Sequence, residues 1–472
     1  MMTNMKKFIA FAACILAIGT AFSQKDSSAT SAFKLSGSAD VYYRYNFDNP
    51  KNPSPNNYNN LTSFTSSHNS FELGIANIQA AHSFNDTLPA PTPMPPSAMA
   101  GPSPMTTPGM AGPLQANPRP FGYSLGHFGT VYVTGVISGI GQWQNNKFPG
   151  DHTFQADLSN GQVFIQKVDG VLQFFVQAGA YSLPDIGLPY VRAGNTEHTP
   201  GIATNAFYGV VPQAFVKLVP AKNFSIMAGK LPTLIGAEYT FSFENMNIER
   251  GLLWNQENAV NRGVQANFTA GPITLAASWN DGMYSNRYTW AWLSAVYAIN
   301  SSNTLALIGG GNTKTTTVSS SATPLYLNNE QIYNLIYTHI SGKWTIEPYL
   351  QYTSVPKKDK IKTTDDATTY GAALYVNYAA HSNPDGSSFF LPVRLEYIKS
   401  TGNIDGAPNL LYGQGSNAWS FTVTPTYQYK RLFARTEFSF TKANSIVSGL
   451  AFGSDGTKTS QVRAVIEVGM LF

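Results

Sequence analysis

The feature that most constrains this chain is strict alternation of apolar and polar residues, repeated in segment after segment. Trp419, Phe421, Val423, Pro425, Tyr427 and Tyr429 fall on one face of an extended chain, with Ser420, Thr422, Thr424, Thr426 and Gln428 on the other. Phe389, Leu391, Val393, Leu395 and Tyr397 likewise oppose Arg394 and Glu396. Trp344, Ile346, Pro348, Leu350 and Tyr352 oppose Thr345, Glu347 and Gln351. Leu35, Ala39, Val41, Tyr43, Tyr45 and Phe47 oppose Ser36, Ser38, Asp40, Arg44 and Asn46. A period of two is the signature of a strand with unlike faces. One or two such strands fit any soluble sheet. Many of them, in a chain with only 12% charged and 13% aromatic residues, point to lipid on one face and water on the other.

The chain opens with features of an export leader. Lys6 and Lys7 precede an apolar stretch from Phe8 to Ala21, and Ala21-Phe22-Ser23 supplies the small residues of a cleavage site. Residues 1–23 read as a signal peptide and 24–34 as a short periplasmic N-terminus. The only cysteine, Cys14, lies in that leader, so the mature chain is expected to have no disulfide. Beyond it no run of about 18 apolar residues exists, which excludes a transmembrane helix. A membrane-spanning chain without helices must close its sheet, because open edges leave backbone groups unpaired in lipid. The net charge of +4, with no basic cluster interleaved with aromatics, gives no case for nucleic acid.

Short and long connections alternate, as expected for periplasmic turns and external loops. The short ones fall at Asp169-Gly170, 220–223, 270–272, 300–303, 341–343 and Lys430-Arg431; the long ones at 182–206, 236–261, 313–329, 355–367 and 442–460. Strands are expected to begin near Leu35, Asn69, Phe128, His152, Val171, Phe207, Phe224, Arg262, Ile273, Thr289, Thr304, Glu330, Trp344, Thr368, Ser388, Ala418, Leu432 and Gln461. The fold class is therefore all-β: an antiparallel up-and-down transmembrane barrel over residues 35–472, with about eighteen strands. Sixteen is the other even count open to it, because 69–84, 289–299 and 330–340 alternate poorly. Either count leaves an aqueous interior. Asp86 to Pro120 holds eleven prolines and cannot be strand. It reads as a linker, or as a segment that enters the lumen or docks a periplasmic partner.

Two stretches carry a resemblance to a known family. Gly37-Ser38-Ala39-Asp40-Val41-Tyr42-Tyr43-Arg44-Tyr45-Asn46-Phe47 is similar to the opening strand of the OmpL-like porins (β-barrel porin-2). Ala228-Gly229-Lys230-Leu231-Pro232 through Ile235-Gly236-Ala237-Glu238, then Asn245-Met246-Asn247, Arg250 and Leu252-Leu253, resembles that family's strand and following loop. The resemblance implies an outer-membrane pore. The last strand also ends in Phe472, which resembles the C-terminal signature read by the barrel-assembly machinery.

In such a chain, function comes from pore geometry and lining charge. The pore-lining candidates are Asp40, Arg44, Lys230, Glu347, Arg394, Glu396, Arg435, Glu437, Arg463 and Glu467. They either neutralise one another or form opposed patches that orient dipolar solutes. Loop 236–261 is the candidate constriction, carrying Glu238, Glu244, Glu249, Arg250 and Glu257; it narrows the pore if folded inward. The expected function is passive diffusion of small hydrophilic solutes and ions across a Gram-negative-type outer membrane, with homo-oligomers possible and no cofactor. The alternative is a barrel that scaffolds or sheathes a secreted or electron-transfer partner, docked by the Pro-rich insert. Enzymatic function is not expected. The seven histidines are scattered, and Asp151-His152 and Glu197-His198 are adjacent pairs whose side chains would point to opposite faces of a strand.

Overall fold

The computed structural model describes residues 33–44, 70–82, 110–117, 120–194, 203–318, 324–383 and 386–472. The leader therefore lies outside the described residues, as does most of the Pro-rich insert. Two compact units divide the chain at Ala100/Gly101. In the first, β1 (Phe33–Arg44) and β2 (Ser70–His82) pair with each other in a two-stranded antiparallel sheet.

The second unit is a closed antiparallel barrel. Its strands are β4 (Thr130–Gln144), β5 (Phe154–Lys167), β6 (Leu172–Tyr181), β7 (Gln213–Ala221), β8 (Phe224–Pro232) and β9 (Val260–Ala270). They continue with β10 (Ile273–Asn280), β11 (Trp290–Asn300), β12 (Asn303–Asn312), β13 (Gln331–Ser341), β14 (Trp344–Val355) and β15 (Ala367–Ser382). The last are β16 (Ser387–Ser400), β17 (Asn417–Val423), β18 (Thr426–Tyr429), β19 (Leu432–Asn444) and β20 (Ser460–Leu471). β17 and β18 both pair with β16 and β19. They are one strand interrupted at Pro425, which has no N–H to give the ladder. Sixteen strands thus close the barrel. Each of the eighteen expected strands is present, but the first two form the separate hairpin. The start of β7 is the largest boundary difference: residues 203–207 make a single helical turn and the strand begins at Gln213.

Closure joins β20 to β4, with Arg463 opposite Gln144 and Leu471 opposite Val136. The terminal residue completes the seam: Gly135 N–H donates to Phe472 O at 2.8 Å and Phe472 N–H to Gly135 O at 2.9 Å. A Cβ on Gly135 would sit 2.6 Å from the Gln162 backbone carbonyl and 2.4 Å from the Phe472 ring, so only glycine fits there. Beyond the end of β20, the short β3 (Phe121–Ser124) takes over as partner of β4.

The burial pattern is inverted relative to a soluble protein. On β17–β18, Ser420, Thr422, Thr426 and Gln428 are buried while Trp419, Tyr427 and Tyr429 are exposed. On β16, Arg394 is 0% exposed and Leu395 beside it 46%. Leu275, Leu293, Leu307, Leu335, Leu350, Phe438, Ile466 and Val468 add to the exposed apolar outer face. An apolar exterior this extensive needs hydrocarbon around it. Aromatics flank it: Tyr333, Tyr352 and Tyr370 touch in series near the long-loop end, and Trp344 packs on Tyr378 at the short-turn end. These are the positions of interfacial girdles.

Candidate functional site in the lumen

The loop between β8 and β9, residues 233–259, runs into the barrel. Its own side chains shape it first. Asn245 accepts from Tyr239 N–H at 2.7 Å and donates to the carbonyls of Tyr239 and Phe241 at 2.9 and 3.0 Å. At the loop base, Thr233 Oγ1 donates to Asn258 Oδ1 at 2.8 Å and Gly236 N–H to Asn334 Oδ1 of β13 at 2.8 Å. Arg250 donates through Nη1 to Thr240 O and through Nε to Asp185, each at 2.5 Å. The second long loop, 183–187, is thereby bound to the first, with Ile186 N–H to Arg250 O and Arg250 N–H to Pro184 O at 3.0 Å each.

The charged side chains of β16, β19 and β20 then act as hydrogen-bonding partners for this loop's backbone. Glu437 accepts from Ile248 and Glu249 N–H at 2.5 and 3.0 Å, and Glu396 from Leu252 and Leu253 N–H at 3.0 and 3.2 Å. Arg435 donates to Ser242 O at 2.9 Å and Asn245 O at 3.1 Å, and Arg394 to Glu249 O at 2.8 Å. Ion pairs cross the same seam: Arg463 with Glu249 at 2.7 Å, and Arg394 with Glu238. Arg435 pairs with Glu467 directly opposite on the neighbouring strand, and Arg394 with Glu396 two residues on. Asn247 Nδ2 reaches Thr424 Oγ1 at 2.7 Å. A loop carried into a barrel has no ladder partner for its N–H and C=O groups, and here carboxylates and guanidiniums satisfy them.

The opposite side of the loop is apolar. Phe241 and Phe243 stack on each other, and Phe243 meets Phe164 of β5, which continues through Phe175 of β6 to Phe215 of β7. These inward-facing phenylalanines were not among the sequence candidates. A lumen wall was expected to be polar, and the only signal was that Phe164 and Phe215 break the alternation of their strands. Gln213, Lys217 and Tyr349, all facing inward, were missed as well.

The sequence candidates therefore have several placements. Arg394, Glu396, Arg435, Glu437, Arg463 and Glu467 face the interior but are 0–4% exposed beneath the loop. Glu238, Glu244, Glu249 and Arg250 are buried in the loop itself, so it folds inward. Glu347 faces the interior on β14 and accepts from Thr338 at 2.7 Å. Lys230 is a correction. It shares the outward parity of Ile226, while Gly229 and Leu231 face inward, and its Nζ donates to the carbonyls of Tyr208 and Val211 at the barrel rim. Asp40 and Arg44 lie on β1, outside the closed barrel sheet.

The described end of the Pro-rich segment is also inside. Ala111 and Gly112 N–H donate to Glu244 O at 2.8 and 2.9 Å. Gln115 and Gln428 exchange a pair of bonds at 2.8 Å, and Leu114 joins the cluster of Phe164 and Phe241. A Cβ on Gly112 would lie 2.1 Å from Asn245 O, so the strap approaches the loop at glycine distance. Cavities lie around the loop: about 440 Å³ along β5–β9 at the short-turn end, about 80 Å³ between Gln213, Thr233 and Glu244, and about 340 Å³ between the loops at the long-loop end.

The family described as "Putative beta-barrel porin-2, OmpL-like" matches residues 130–472. No curated protein matches the sequence significantly. Among solved structures, OmpT of Vibrio cholerae is 11% identical, with a TM-score of 0.46 over 73% of this chain and 98% of that one. The channel DcaP of Acinetobacter baumannii is 10% identical, with a TM-score of 0.47 over 72% and 97%. Salmonella typhi OmpF is 13% identical, with a TM-score of 0.45 over 73% and 98%.

Proposed function

This chain belongs to the OmpL-like β-barrel porin-2 family, an outer-membrane barrel class, and from that premise we propose that it is a narrow diffusion channel for small hydrophilic solutes. The observation that carries this reading is the loop 233–259 fastened across the lumen on both its faces. The route we assign leads from the loop-lined cavity at the long-loop end to the cavity along β5–β9 at the short-turn end, with its narrowest point between Gln213, Thr233 and Glu244. The charged residues of β16, β19 and β20 hold the constriction in place; the solute meets Gln213, Thr233 and Glu244 at the narrowest point and Lys217 at the short-turn mouth. At the short-turn mouth, Lys217 and Lys222 line the 440 Å³ cavity, while Lys167 is paired with Asp169 at 3.0 Å; the two lysines give a mild preference for anions at that end. A sheath around a separate exported chain would need a clear lumen, and loop and strap occupy it. Export by the leader and insertion through Phe472 complete the proposal.

The test is planar-bilayer recording of the purified, detergent-folded protein. Stable ohmic steps of low conductance, smaller than those of an open sixteen-strand barrel, are expected. A sealed bilayer containing folded, inserted protein would overturn the channel reading.

A further inference from the structure

Three long loops meet the constriction loop at the outer end of the lumen and enclose the 340 Å³ cavity. That volume lies at the lower end of the roughly 300–1,000 Å³ of ligand sites. Its wall is aromatic, with Trp254, Tyr208 and Tyr412 among the lining residues. Its charged and amide side chains are Asp185, Arg250, Asn255, Gln256, Glu257 and Asn409. Asn255 donates from Nδ2 to Ile186 O at 3.0 Å, and Gln256 from Nε2 to Leu410 O at 2.7 Å. Tyr412 donates from its hydroxyl to Gly187 O at 3.2 Å. Each amide is thereby fixed with its oxygen left over: Asn255 Oδ1 and Gln256 Oε1 are buried and without a partner among the described residues. Arg250 spends Nε and Nη1 on Asp185 and Thr240 and sits 4.8 Å from the Trp254 ring. Its Nη2 is also buried and unpartnered.

We propose that this cavity is a binding site for a neutral sugar of one or two rings, loaded before passage through the constriction. Buried polar atoms are ordinarily satisfied, and a ligand that completes them gains affinity. Three fixed acceptors call for hydroxyl donors: the two amide oxygens and Glu257 Oε2, which is likewise buried without a partner among the described residues; one guanidinium N–H calls for a hydroxyl or ring oxygen. Aromatic rings offer flat apolar surface to the C–H faces of a pyranose. Asp185 neutralises Arg250 at contact distance, so the site does not demand an anion. The proposal rests on the channel reading for the direction of solute entry; the binding geometry stands apart from it.

Isothermal titration of the detergent-folded full chain with glucose, maltose, glycine and succinate tests the site. Saturable heat with maltose or glucose and none with glycine or succinate is expected. Gln256→Leu should weaken sugar binding roughly five- to tenfold, the loss of about one hydrogen bond. Should that variant fail to show the heat-modifiable migration of a folded barrel, Asn255→Ala at a partly exposed position carries the same expectation. No saturable sugar heat, tighter binding of succinate, or sugar affinity indifferent to these substitutions overturns the proposal. Bilayer recording separates the two readings. Sugar heat without ion current leaves the site standing and removes the channel; ohmic current without sugar heat does the reverse.

Discussion

At the scale of single residues, the chemistry of the lumen is that of clamped charges. Arg463 pairs with Glu249 at 2.7 Å, and both are buried. Removing one partner strands the other in a site with little water. Arg463→Met should therefore cost about 3–5 kcal/mol in a detergent unfolding titration. The double variant Arg463→Met with Glu249→Met should recover most of that loss, because no unpaired charge remains. Additive losses would mean the pair is not coupled. Glu244, at the loop tip, behaves differently. Burial pushes its carboxyl up to about 8, against weaker opposing effects of Phe241 N–H and Arg250. Between the ordinary carboxylate range and about pH 8, the docked loop keeps a proton that a released loop gives up. Docking is thus strongest at acid pH and weakens as pH rises through that window. Burial also pushes Glu238 up to about 7 and Glu257 up to about 8, so Glu244→Gln should reduce this dependence, leaving their share, when loop release is followed by protease nicking from pH 5 to 9.

At the scale of elements, the constriction is assembled from two segments without strands, the loop carrying only short 3-10 turns at Ser242–Glu244 and Trp254–Gln256. The strap 110–117 hydrogen-bonds the loop at Glu244 and the wall at Gln428. Its closest approach is Gly112 against Asn245. Gly112→Val has no room there and should expel the strap, raising single-channel conductance while leaving the barrel folded. An unchanged conductance would place the strap outside the ion path. The loop itself was legible in part. Its span, its inward option and its charged residues follow from sequence, and the Asn-x-Asn pattern has a plain purpose in the structure. Asn245 holds the loop to itself, and Asn247 holds it to Thr424. What sequence could not supply was the partner set, because Glu238 and Arg394 are separated by more than 150 residues.

For the whole molecule, the inverted burial pattern sets what the exterior tolerates. Leu395, midway along β16 and 46% exposed, should face hydrocarbon. Leu395→Arg is expected to cost about 2–4 kcal/mol in folding into lipid vesicles, whereas a soluble protein's surface would accept it. Selectivity belongs to the same scale. Lys217 faces the short-turn mouth beside Lys222, and Lys217→Glu should shift the reversal potential in a salt gradient toward cations. A shift in the other direction, or none, would place the ion route elsewhere.

Alternation and turn spacing along the chain determined the class of fold, the presence of the eighteen expected strands, most of them starting within two residues of the expected position, and the outward face of the strands that alternate cleanly, such as β16 and β19. Those properties depend on neighbours in sequence, since a period of two needs only the local chain. Tertiary structure alone decided three further matters. Two of the eighteen strands pair only with each other, because sheet membership is set by which edges meet and not by the pattern within a strand. The lumen arginines and glutamates became fasteners for a loop, because buried backbone groups take whatever partner the closed barrel brings within reach. The strap came to rest at the constriction, since only in three dimensions does Gly112 stand against Asn245.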